Sequence, residues 1–177
     1  LLPPVQSEQS FIVGDWKLAD IPEQREYVEG ILSDWNASIW GYDQAFETCV
    51  EDDIYRFGET GSFEYLINGS TYMNDEMNPL LNYGSANSYC DSPLAPWNES
   101  DIYTYSFDEN NSLLTVTGYG AYIALAHVAN GTDGIEYGAD APESITYSYT
   151  KILENQILLE IDAYYRFYRF TLEKVVN

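Results

Sequence analysis

One histidine, His127, stands in a chain of 177 residues, so any Ser-His-Asp or Cys-His relay must pass through it. Its neighbours, Ala124-Leu125-Ala126 and Val128-Ala129, are apolar, and no Gly-x-Ser-x-Gly elbow occurs. A half-buried, hydrogen-bonded histidine is expected there rather than a catalytic one, and a site built on several histidines is excluded by arithmetic. Carboxylates are abundant, but their spacing in sequence does not fix the separation in space that a glycosidase pair needs. Glu51-Asp52-Asp53 and the acidic stretch from Asp133 to Asp140 have oxygen ligands suited to calcium, yet neither follows an EF-hand loop. Solvated acidic loops are the expectation. No phosphate loop or dinucleotide fingerprint occurs, so we expect no catalytic residue, no metal and no cofactor.

The remaining chemistry lies in cysteines, sequons and aromatics. Cys49 and Cys90 sit in polar contexts without a Cys-x-x-Cys neighbour, which removes a zinc or redox motif. A bond between them would close a loop of about 42 residues and stabilise by on the order of 4 kcal/mol, and it is favoured over two free thiols. Five Asn-x-Ser/Thr sequons occur, at Asn36, Asn68, Asn98, Asn110 and Asn130, all in expected loops or turns where a glycan can be carried. Trp35, Trp40 and Trp97 fall in loops. Their faces suit sugar rings, and equally suit capping a core or burying a subunit contact.

Seven basic residues against 29 acidic ones leave a net charge of −22. Binding nucleic acid or anionic lipid requires clustered Lys and Arg, so neither partner is expected. The chain has no run of eighteen apolar residues, hence no expected membrane span. A start at Leu1 rather than Met is read as a removed leader or a trimmed terminus.

The elements that must carry these residues are short strands. Phe11 to Leu18, with Gly14-Asp15-Trp16, opens the sheet, and Tyr165 to Leu172, rich in aromatics and arginine, closes it. Between them, alternation predicts strands at Asp53–Phe57, Ser62–Ile67, Ile102–Phe107, Leu113–Thr117, Ile145–Tyr149 and Ile157–Ile161. Turn residues fill Gly58–Gly61, Asp108–Asn111 and Glu154–Asn155. Glu23 to Leu32 reads as two or three helical turns. Tyr103, Tyr105 and Phe107 share one face, and the small-residue run from Gly118 marks a bend or a close approach of backbones. Residues 68–100 form a long polar insertion that Cys90 would pin. Eight strands in meander order predict an all-β, up-and-down antiparallel barrel; a two-sheet jelly roll would need more long crossovers. Trp16 would plug one end, with Arg169 of the closing strand across its indole and Arg166 as the competing cation. Residues 1–10 would hang off as an extended N-terminal arm, because Pro3 and Pro4 break the apolar Leu1-Leu2-Pro3-Pro4-Val5, while 11–177 form the barrel domain.

Gly14-Asp15-Trp16-Lys17-Leu18, the block from Cys49 to Phe57 with Gly61-Ser62-Phe63, and Cys90-Asp91-Ser92-Pro93-Leu94-Ala95-Pro96 resemble successive blocks of a lipocalin-like module. So do Gly118-Tyr119-Gly120-Ala121-Tyr122, Ala141-Pro142-Glu143-Ser144-Ile145-Thr146-Tyr147 and Tyr168-Arg169-Phe170-Thr171-Leu172. Such modules occur in secreted bacterial proteins, often beside carbohydrate-active domains. The resemblance implies a secreted calycin-type barrel with a Cys49–Cys90 disulfide; it implies no reaction, since such modules have no established catalytic residues to carry over. The chain departs from the family at Ile123-Ala124-Leu125-Ala126-His127, where a Gly-Leu-Pro-Lys segment is usual, and in that the module is expected to be the entire mature chain, with no enzyme attached.

The function expected from all this is a non-enzymatic, secreted or cell-surface structural subunit. It would be glycosylated and would polymerise head-to-tail with copies of itself through Leu1, Leu2 and Val5. The alternative is an accessory module that binds glycans or a small ligand.

Overall fold

The structure, a computed structural model, describes residues 11–36, 49–72, 90–92, 102–124, 144–162 and 166–176. They form twelve strands: β1 (Gly14–Leu18), β2 (Glu23–Val28), β3 (Ile31–Leu32), β4 (Ile54–Phe57), β5 (Ser62–Leu66), β6 (Thr71–Tyr72), β7 (Cys90–Asp91), β8 (Tyr103–Asp108), β9 (Leu113–Thr117), β10 (Ser144–Leu153), β11 (Gln156–Asp162) and β12 (Arg166–Lys174). Eight of them close a ring in the order β1, β4, β5, β8, β9, β10, β11, β12 and back to β1, each pair antiparallel. This is the closed eight-stranded barrel that the alternation predicts.

Side chains alternate across the wall because successive residues of a strand point to opposite faces. Trp16 and Leu18, Tyr55 and Phe57, Phe63 and Tyr65, Tyr103 and Tyr105, Ile157 and Leu159 all point inward and are at most 6% exposed. The interior is packed with rings. Phe57 meets Tyr105 edge-on at 5.0 Å between centroids, and Tyr65 stacks on Tyr103 at 5.3 Å and tilts against Tyr122 at 4.6 Å. Their hydroxyls are satisfied inside: Tyr65 and Tyr103 share a hydrogen bond of 3.0 Å, and Tyr147 Oη accepts the Ile123 N–H at 3.0 Å. Burial without a charged partner pushes the Tyr147 phenol well above its ordinary pKa.

Strand β12 is the branch point. One of its edges pairs with β11 along its length; the other pairs with β1 through Leu18↔Leu172 and then with β2 through Glu23↔Arg169. Residues 19–22 therefore stand against only 170 and 171, a bulge that includes Pro22, whose missing N–H suits an interrupted ladder. Beyond the bulge the chain leaves the ring: β2 turns back on β3 instead of on β4. Glu29 and Gly30 both have left-handed φ, 53° and 80°, as a two-residue type I′ turn demands. The stretch from Glu23 to Leu32 is thus a hairpin and not the helix expected from its sequence. The opening strand also begins later than expected, at Gly14, with Phe11 and Ile12 helical.

Candidate functional site

Three clusters hold the residues of interest. The first is the barrel's closed end. Trp16 is fully buried, its Nε1–H donates to the Ile12 carbonyl at 2.7 Å, and Phe11 meets it edge-on at 5.6 Å. The cation over its ring is Lys174, with Nζ 5.6 Å from the centroid; the expected Arg169 is elsewhere. Register explains the correction. Trp16 stands opposite Lys174, and Arg169 lies five residues back, roughly 17 Å along the strand. Five is also odd, so Arg169 sits on the outer face while Tyr168, Phe170, Leu172 and Lys174 follow the inner one. Lys174 Nζ donates to the Phe11 carbonyl at 3.1 Å. Gly14 makes room for this: at φ +130°, an added Cβ would meet Lys174 Cε at 2.9 Å.

The second cluster covers the outer face of β2 and β12. Cross-strand pairing sets Arg25 opposite Phe167 and Glu23 opposite Arg169. Arg169 Nη2 donates to Glu23 Oε2 at 3.1 Å. The chain then returns after β3, where Asn36 and Gln24 exchange backbone hydrogen bonds of 2.9 and 2.7 Å. That return lays Trp35 against both guanidinium groups, with Arg25 Cζ 4.4 Å and Arg169 Cζ 4.5 Å from its centroid. Tyr27 meets Phe167 edge-on at 5.8 Å, and past it the hairpin tip leaves Tyr27, Val28 and Ile31 60%, 54% and 73% exposed. Arg25 is hidden in the sequence because a helical reading of residues 23–32 conceals the strand face it shares with Tyr27.

The third cluster is the disulfide. Cys49 and Cys90 are bonded, with Cα atoms 6.1 Å apart, and tie the start of β4 to the small sheet formed by β6 and β7. Beside the bond, Asp53 is 2% exposed. Its Oδ2 accepts a hydrogen bond from the Thr71 hydroxyl, while Oδ1 is buried with no hydrogen-bond partner. Burial pushes this carboxyl up to about 8; the Thr71 hydrogen bond pulls the other way, and Asp52 adds to the rise. Asp53 is therefore a largely neutral acid at neutral pH, held in packing rather than facing solvent. Asp15 shows the opposite effect, since two hydrogen bonds from Arg56, 2.7 and 2.9 Å, hold its carboxyl below the usual range.

Asn36, Asn68 and Asn110 are exposed. Asn68 Nδ2 donates to Asp52 Oδ2 at 3.1 Å, a bond that a glycosylated amide can keep through its remaining hydrogen. Asn110 sits in the β8–β9 turn, which Asp108 closes by accepting from the Asn111 backbone at 3.1 Å and its side chain at 2.8 Å. Asn98, Asn130, His127, Trp40, Trp97 and the arm residues Leu1, Leu2 and Val5 lie outside the described residues. Among the described residues, no group of three or more His, Cys, Asp or Glu is placed to hold a metal ion, and no helix is long and apolar enough to cross a membrane.

Ring order, strand count and antiparallel register together define a closed barrel consistent with the calycin or lipocalin type. No protein-family model and no curated protein matches the chain. Among solved structures, the chain is similar to an uncharacterized protein from Bacteroides eggerthii determined at 2.60 Å. The two are 14% identical, with a TM-score of 0.39, over 93% of this chain and 99% of that one.

Proposed function

We propose that this protein is a non-enzymatic, extracellular structural subunit, glycosylated, that assembles with copies of itself. The observation that carries the reading is the packed interior. Where a ligand-carrying barrel keeps its middle open, the inward positions here hold Trp16, Tyr55, Tyr65, Phe57 and Phe63, each at most 2% exposed. A barrel filled this way works as a rigid block whose contacts are on its outside. A disulfide between its two cysteines suits an oxidising compartment, and three exposed sequons offer glycan sites. The proline-broken segment from Leu1 to Val5 supplies apolar side chains for a neighbouring copy. Repeating one head-to-tail contact builds a fibre unless its rotation closes a ring.

Glycan binding by loop tryptophans gains less support, because the ring of Trp35 is already engaged by Arg25 and Arg169. Electron microscopy of the native material beside a variant lacking residues 1–5 tests the proposal. Filaments that vanish on deletion, with the circular-dichroism spectrum of the barrel unchanged, are the expected result. A monodisperse, monomeric native protein would overturn it.

A further inference from the structure

We infer that Asn36 carries an N-linked glycan whose first sugar rings lie along the Gln24–Val28 side of the β2–β3 hairpin and cover Val28 and Ile31 at its tip. The inference rests on the glycoprotein reading above and names the sequon and the surface its glycan occupies.

Register places the attachment point. Asn36, which opens the sequon Asn36-Ala37-Ser38, is exposed and exchanges two backbone hydrogen bonds with Gln24, so it stands directly across from that residue. Directly paired residues share a face, and so do alternate residues along one strand. Asn36 therefore points to the side that holds Gln24, Glu26 and Val28, and Val28 is paired with Ile31 across the turn. Trp35, one residue back, turns to the opposite side and covers Arg25. On the Asn36 side, Val28 and Ile31 are 54% and 73% exposed. From Gln24 to Val28 is roughly 13 Å along the strand, a span that a chain of a few sugar rings covers.

The chemistry of the patch suits such an occupant. A pyranose ring has an apolar face of C–H groups, and an N-acetyl group adds a methyl, so sugars lie on aliphatic side chains while their hydroxyls stay in water. Glu26 and Glu29 flank Val28 in the sequence and oppose an acidic occupant, whereas a neutral glycan meets no such repulsion and its hydroxyls can donate to the carboxylates. Attachment also makes a weak contact count, because a short flexible tether holds its end at an effective concentration on the order of millimolar. The bond formed joins Asn36 Nδ2 to C1 of the first sugar. The amide releases one proton, and the lipid diphosphate that donated the sugar leaves.

Peptide mapping of the native protein by mass spectrometry reads the occupancy of each sequon. Hydrogen exchange of hairpin peptides then compares the glycoprotein with Asn36→Gln and with Ser38→Ala, which removes the sequon and keeps Asn36. Both losses are repeated in a Val28→Thr/Ile31→Thr background, where Thr keeps the strand preference while removing apolar surface, and circular dichroism checks that the barrel survives. Losing the Asn36 glycan is expected to speed exchange of the hairpin about fivefold in the wild-type background, and by less than about twofold in the Thr background. Equal changes in the two backgrounds would overturn the inference, because a glycan that only solubilises the chain does not sense these two side chains. Glycans on other sequons with Asn36 bare would also overturn it and leave the glycoprotein reading standing. A native protein with no glycan at any sequon would overturn both.

Discussion

Replacing Asp53 by Asn should change how stability depends on pH. Asp53 has an ordinary carboxyl pKa of 3.8 in the unfolded chain and about 8 in the folded one, because burial disfavours the charged form. Between those values the folded state holds a proton that the unfolded state has released. Stability therefore falls as pH rises through this window; the full contribution is present below about pH 4 and lost above about pH 8. Raising a pKa tenfold in proton affinity is worth about 1.4 kcal/mol, so the whole window is worth on the order of 5 kcal/mol, a large share of the ~5–15 kcal/mol by which domains are usually stable. Asn has the same shape, still accepts from the Thr71 hydroxyl, and cannot ionise. Urea unfolding of wild type and Asp53→Asn at about pH 4.5, 6, 7.5 and 9 isolates the effect, since every other group titrates in both proteins. The two curves should lie close together at the acid end and separate by several kcal/mol at the alkaline end, with the variant the more stable. Parallel curves from pH 4.5 to 9 would refute the reasoning, and Asp53 would then be solvated in the folded protein.

Cys49→Ser/Cys90→Ser should cost on the order of 4 kcal/mol, measured by thermal unfolding without reductant; intact mass of the wild type should rise by the mass of two hydrogen atoms on reduction. Gly14→Ala should destabilise by ~2 kcal/mol or more, because φ +130° is strained for alanine and its Cβ meets Lys174 Cε at 2.9 Å. If its melting temperature matches wild type, the close approach is not a constraint. A double-mutant cycle on Trp35→Ala and Arg169→Ala should return a coupling of ~0.5–1 kcal/mol, the range for a partly exposed cation–π pair, and a coupling of zero would remove the contact.

The sequence exposes the barrel because its strands obey a period of two, with clean turns between them. Ser62-Phe63-Glu64-Tyr65 and Tyr103-Thr104-Tyr105-Ser106 alternate in sequence, and their aromatics are all buried in the structure. The hairpin at Glu23–Leu32 is hidden for a physical reason. Its strands lie beyond the ring with one face open, so Glu23-Gln24-Arg25-Glu26 has no apolar row to reveal the period, and charged residues of this kind also suit a helix. Asp53 is equally invisible. Nothing local separates it from Glu51 and Asp52, which are exposed, and its partner Thr71 lies 18 residues away on β6.

The Trp16–Arg169 expectation fails on parity, and the failure shows how β12 serves two surfaces. Its even positions, Tyr168, Phe170, Leu172 and Lys174, fill and close the barrel; its odd positions, Phe167 and Arg169, hold Tyr27, Glu23 and Trp35 on the outside. Residue type alone favours the arginine, since arginine stacks on tryptophan more often than lysine does. Register outweighs that preference, because moving Arg169 to the inner face would turn its whole strand over and expel Phe170 and Leu172. Expelling those two side chains forfeits roughly 4 kcal/mol or more of apolar burial, whereas exchanging one cation–π partner for another changes about 1 kcal/mol. The strand is placed by its apolar row, and each cation takes the aromatic ring that this placement brings within reach.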